Sequence, residues 1–154
     1  MILTNFHFDY FSDKVLFEKR WSEQLSALLR QRIVNIFGVW DNIYGEWFGE
    51  APMLVKFAHG TLAVNVRSEL YLALAWNEIF PTEKPRWFSE NIDMPGWQED
   101  LDWREYLPLS KFKGAEILHV EVIEGENVLN GLLFETDKGG FSIIDNGDVI
   151  AGIE

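Results

Sequence analysis

An α+β fold, with one long N-terminal helix packed on a largely antiparallel, meander-type sheet, is predicted by three observations. Apolar residues recur at spacings of three to five across residues 13–36. Two regions, residues 53–76 and 115–153, carry period-two alternation. Turn signals separate the alternating runs, Asn146-Gly147 being the strongest of them. A chain of 154 residues can bury roughly 70% of its unfolded surface as one domain, and residues 1–154 are read so. Hydrophobic residues make up 47%, with seven Trp and twelve Phe, which excludes a disordered chain.

Ile2, Phe6, Phe8 and Tyr10 share one parity and suggest a short first strand. Phe17, Trp21, Leu25, Leu28, Leu29, Ile33 and Ile36 then define a helix from Asp13 to about Ile36, capped by Ser12 and ended by Gly38. Asp13, Glu18 and Glu23 come early in it and Arg30 and Arg32 late, the order that the helix dipole favours. Residues 38–52 set Gly38, Gly45, Gly49 and Pro52 among Trp40, Tyr44, Trp47 and Phe48, as in an aromatic loop or irregular hairpin. Strands follow over residues 53–58 and 61–66, joined at His59-Gly60. In residues 70–76 alternation of Leu70, Leu72, Leu74 and Trp76 with Tyr71, Ala73 and Ala75 favours a strand, although the Ala and Leu content would also suit a helix.

Four prolines interrupt residues 77–114, a long connection expected to pack on the sheet, with a short helix between Trp97 and Leu107. From Ala115 four strands are expected, linked by Gly125-Glu126-Asn127, by residues 137–140 and by Asn146-Gly147, as a C-terminal meander.

Charge is unevenly placed. Residues 1–76 hold 8 acids and 7 bases, or −1, whereas residues 77–154 hold 17 acids and 6 bases, or −11. Such a field repels nucleic acid and anionic membranes and speeds encounter with a basic partner; it also serves solubility. Cysteine is absent, which excludes disulfides, thiolate catalysis and Cys-ligated metals. No apolar run approaches a membrane span and the first residues lack signal-peptide features, so a cytoplasmic protein is expected.

No catalytic motif is found. His7, His59 and His119 stand in separate strand or turn contexts, no histidine pair has helical spacing, and Asp137-Lys138-Gly139-Gly140 joins strands and opens no helix. No cofactor is expected. Asp145-Asn146-Gly147-Asp148 lacks the alternating acids and final Glu of a calcium loop and reads as a turn.

One constellation mixes anchors with acids: Trp97, Glu99, Asp100, Asp102, Trp103, Glu105 and Tyr106. Aromatic rings bury large area at low entropic cost, and acids around them select basic partners. The same residues suit local structure better than binding, with the rings facing a core and the acids at a helix N-terminus. A different reading has Trp40, Tyr44 and Trp47 lining a ligand pocket on the sheet. A third is a structural subunit.

Leu107-Pro108-Leu109, Lys113-Gly114-Ala115-Glu116-Ile117, Gly131-Leu132-Leu133-Phe134 and Ile144-Asp145-Asn146-Gly147-Asp148 give residues 103–150 a pattern that resembles small bacterial proteins, some of them immunity proteins of toxin systems. The resemblance implies a bacterial binding protein, and the acidic second half suggests a basic, nuclease-like toxin as its partner. It assigns no functional residue.

Overall fold

Helix α1 spans Lys14–Ser26 in the computed structural model. Residues 2–3, 9–11, 13–48, 51–67, 71–83, 85, 87–88, 100–125, 129–144 and 149–153 are described, with backbone alone at 2–3, 9–10, 67, 71, 87–88 and 149–153. The cap is Asp13, whose carboxylate accepts from the Val15 N–H at 3.0 Å, in place of the expected Ser12. Phe17, Trp21 and Leu25 form the buried face, each burial being worth about 1.5–3 kcal/mol.

The helix stops ten residues short of the expected Ile36. Leu28, Leu29 and Gln31 donate to carbonyls three residues back, and Arg30 adopts φ 72°, which a continuing helix cannot accommodate. Beyond it Ile33, Val34, Ile36 and Val39 are β-branched, and the chain extends as a strand. Arg30 and Arg32 therefore complement no helix C-terminus, and Gly38 ends nothing: it lies inside that strand.

The strands are β1 (Ile2–Leu3), β2 (Asp9–Phe11), β3 (Ile33–Asp41), β4 (Glu46–Trp47), β5 (Met53–Phe57), β6 (Gly60–Arg67), β7 (Tyr71–Trp76), β8 (Trp87–Phe88), β9 (Leu101–Glu105), β10 (Ile117–Glu124), β11 (Leu129–Thr136), β12 (Gly139–Ile144) and β13 (Val149–Ile153). Every pairing between them is antiparallel. The expected meander holds for β10-β11-β12-β13 and, within the larger sheet, for β5-β6-β7. The larger sheet runs β2-β7-β6-β5-β3-β4 with β9 also paired to β3, so it is no simple meander. The first strand of the sequence reading is two strands in different sheets, β1 pairing β8 and β2 pairing β7, and residues 4–8 between them lie outside the described residues.

Residues 71–76 form a strand, as alternation suggested. Phe57 pairs with Gly60, so Ala58-His59 makes the connection, one position earlier than expected. Asp137-Lys138 joins β11 to β12, where the Thr136 hydroxyl donates to the Gly139 carbonyl at 2.6 Å and accepts from the Lys138 N–H at 3.0 Å. The expected turns at 126–127 and at Asn146-Gly147 lie outside the described residues, between strands that do pair.

Two apolar layers result. The main core joins α1 to one face of the larger sheet and to the inner face of the smaller one; Leu62, Val64, Leu72 and Leu74 meet Leu132, Phe134, Phe141 and Ile143. Phe141 stacks on Phe134 (centroids 4.9 Å, planes 14°) and tilts against Phe112 at 4.7 Å. Phe112 and Leu109 enter this core from a 3-10 helix, Leu107–Phe112. The opposite face of the larger sheet carries a second cluster of Val39, Leu54, Ala63, Ala75 and Leu101, covered by Ala51 and Ile79. Strands buried on both faces lose the apolar–polar alternation of a surface sheet.

Candidate functional site

From Leu101 the segment singled out in the sequence is a strand followed by the 3-10 helix, and over these residues the helix expected between Trp97 and Leu107 is overturned. Strand geometry turns successive side chains to opposite faces, whereas a helix would have stacked Glu99, Asp102, Trp103 and Tyr106 along one side. In β9, Asp102 sits opposite Trp40 and Arg104 opposite Gly38, while Trp103 lies opposite Val39 and Glu105 opposite Phe37. Alternation thus divides the proposed set. Trp103 is half-buried on the second apolar cluster, and Glu105 pairs with Lys113 at 2.8 Å. Asp102 turns to the other face, towards Trp40. Tyr106, whose N–H donates to the Ile36 carbonyl, packs on the main core. Trp97 and Glu99 lie outside the described residues.

Asp102 belongs to a compact aromatic and polar site built on the β3–β4 hairpin. Trp40 and Trp47 pair across the hairpin and meet edge to face at 5.1 Å, and Trp47 meets Tyr106 at 4.7 Å. These rings close over Gly38, where an added Cβ would stand 3.0 Å from Tyr106 Cδ1 and 3.3 Å from Trp47 Cε3. An added side chain at Gly38 would force these rings to give by a few tenths of an ångström, so the glycine serves close packing within a strand and not a helix stop. The Arg104 guanidinium lies over the Trp40 ring at 5.1 Å, within cation–π range.

Asn42 ties the hairpin to β9. Its amide donates to Asp102 Oδ2 at 2.6 Å and to Asp100 Oδ1 at 3.2 Å, its carbonyl accepts from Arg104 Nη2 at 2.9 Å, and its backbone N–H donates to the Asp100 carbonyl at 2.8 Å. Asp41 closes the turn, accepting from the N–H groups of Ile43 (2.9 Å) and Tyr44 (3.2 Å). The turn holds Ile43 45% and Tyr44 76% exposed at its tip. Tyr44 projects at the tip of this turn, and the Arg104 guanidinium covers a face of Trp40.

Replacing Asn42 by Ala removes the amide that joins two carboxylates to a guanidinium. A loss of about 1–3 kcal/mol is expected from urea denaturation, with a red shift in Trp emission as the Trp40–Trp47 pair loosens. An unchanged midpoint would show that the backbone pairing alone holds β9 to the hairpin.

Neither Asn42 nor Arg104 stands among the site residues expected from the sequence. Their only advance signal was polar side chains flanking aromatic ones, which many surface turns share. Among the described residues no group of three or more His, Asp or Glu is placed to hold a metal ion, and no helix is long and apolar enough to cross a membrane. Two cavities flank α1: about 330 Å³ against β7, lined by Arg20, Trp21, Leu74 and Trp76, and about 620 Å³ against β10. No protein-family model, curated protein or solved structure matches the chain.

Proposed function

We propose that the chain is an acidic protein-binding module of immunity type, which neutralises a basic, nuclease-like toxin by direct contact through the β3–β4 hairpin and β9. One observation carries this reading: Asp100 and Asp102 frame a rigid platform of Trp40, Trp47 and Tyr106, from which Ile43 and Tyr44 project. Exposed Tyr and Ile beside a preorganised acidic rim supply an anchor and a charge filter in one patch. The excess of −11 over residues 77–154 extends the negative field beyond the contact itself and would draw in a cationic surface. Because Asp102 and Glu105 also hold Asn42 and Lys113, their charges stay fixed in place and need little reordering on binding.

The test is kinetic, with the product of the adjacent reading frame as the candidate toxin. Its association rate should fall by about tenfold or more between roughly 50 and 500 mM salt, since exposed charges are screened beyond about 8 Å at physiological ionic strength. Converting Glu99, Asp100, Asp102 and Glu105 to amides should reproduce the high-salt rate at low salt. Tyr44→Ala should instead speed dissociation while leaving association nearly unchanged. An association rate that ignores both salt and the fourfold charge removal would overturn the assignment.

A further inference from the structure

Strand β10 is an edge of the four-stranded sheet. Along His119–Ile123 it pairs with β11 on one side, and among the described residues no strand pairs with its other side. Edge strands present unsatisfied N–H and C=O groups, a template for a further strand. Here the open edge borders the cavity of about 620 Å³ shared with α1.

The cavity is bounded at both ends. At one, Lys14 at the start of α1 pairs with Glu124 at the end of β10, 3.0 Å away. At the other, the Arg30 N–H donates to the Ile117 carbonyl and the Ile117 N–H to the Gln31 carbonyl. Helix and strand therefore run antiparallel with a gap between them. Phe17, Leu25, Val120 and Val122 make its floor, and Leu29, 40% exposed, part of its wall. Glu18, Glu121 and Glu124 outnumber Lys14 and His119 along it, and Lys14 is itself drawn to Glu124 and Glu18.

Hydrogen bonding to Glu124, followed by the charges of Glu124 and Glu18, raises the Lys14 pKa above the ordinary lysine value. A raised pKa means that the contribution of this bridge is complete below the ordinary value and is lost as pH rises through the folded one. The bridge therefore stands throughout the neutral range, and the further acid of β10 on this side is Glu121, whose carboxylate lies 3.1 Å from His119 Nε2.

We propose that the groove between α1 and β10 is a peptide-docking site, which takes an extended basic segment of a partner protein as an added strand on β10. Backbone hydrogen bonds to the open edge would supply affinity, and alternate apolar side chains would meet the floor. Six residues of β10, His119–Glu124, span roughly 20 Å at about 3.3 Å per residue, the length of a hexapeptide. The acidic rim selects lysine or arginine at the intervening positions, and the net charge of −12 disfavours a second copy of this chain as the occupant. The site uses a different sheet from the β3–β4 hairpin, so either surface can fail without the other.

The probe is an acetylated hexapeptide of alternating Lys and Val. Titration should saturate, with hydrogen-exchange protection gained at residues 119–124. The same peptide with every backbone nitrogen methylated keeps charge and side chains but cannot extend a sheet, and should bind at least about tenfold more weakly. A Glu–Val peptide should fail likewise. Ser22→Trp, at an exposed position of α1 in the groove, should abolish binding at an unchanged melting temperature. Tyr44→Ala should leave peptide binding unaltered. Equal affinity for the methylated peptide, protection confined to residues 39–47, or no binding of the Lys–Val peptide at millimolar concentration would each overturn the proposal.

Discussion

Gly131→Ala should destabilise the protein by about 3–5 kcal/mol, a large part of the 5–15 kcal/mol that holds a typical domain folded. Gly131 has φ 156°, and an added Cβ would collide with the Ile143 carbonyl oxygen and stand 3.0 Å from Ile143 C and Ile144 Cα. Those are backbone atoms of the neighbouring strand, so no side-chain rotation relieves the contact. Moreover, β11 bulges here: Ile123 pairs with Gly131 but Glu124 with Leu129, and the glycine makes the turn of the backbone that this requires. Equilibrium urea unfolding of parent and mutant is the measurement. A difference under about 1 kcal/mol would mean that β12 can move aside, and the close approach would carry no structural weight.

Phe134→Ala should cost a similar amount by another route, about 3–5 kcal/mol. The ring is fully buried and stacks on Phe141, which in turn meets Phe112, so one truncation removes the middle contacts between the smaller sheet, the larger sheet and the 3-10 helix. The cavity left would be lined by Leu and Phe side chains held on three elements, which limits collapse. Phe134→Leu, which retains most of the volume, should recover more than half of the loss. If the Ala and Leu variants unfold at the same denaturant concentration, ring stacking and not volume is what matters at this position.

The C-terminal meander was legible because its four strands pair in sequence order and turn signals separate their apolar runs, which hold Leu129, Phe134, Phe141 and Ile143. The helix was legible only at its start. Ile33 and Ile36 both reach the main core at a spacing of three, which imitates helical periodicity. In fact β3 shifts register between Ile33 and Asn35, and that irregularity turns two residues three apart to the same face. Periodicity alone does not separate the two cases; β-branching at residues 33, 34, 36 and 39 was the signal that did.

The candidate site was half legible for a related reason. Asp102, Trp103, Glu105 and Tyr106 are close in sequence, yet strand alternation sends Trp103 and Glu105 to one side and Asp102 to the other. Their true neighbours, Trp40, Asn42 and Trp47, come from a hairpin some 60 residues earlier. Such pairing is decided by tertiary register, which local composition does not encode.

Strand β3 joins stretches of chain that are made far apart in time. One of its edges is filled early, by β4 and β5 soon after it leaves the ribosome. The other receives β9 along residues 37–41 roughly sixty residues later, and the N–H of Gly114 at the Ile33 carbonyl roughly eighty residues later. At about 5–20 residues per second, synthesis leaves that edge open for several seconds. During this interval the nascent chain exposes one unpaired edge of an apolar strand rich in Ile, Val and Phe, the condition under which neighbouring nascent chains pair with each other. The acidic second half, which arrives with β9, thus both completes the sheet and ends the period of greatest exposure to misassembly.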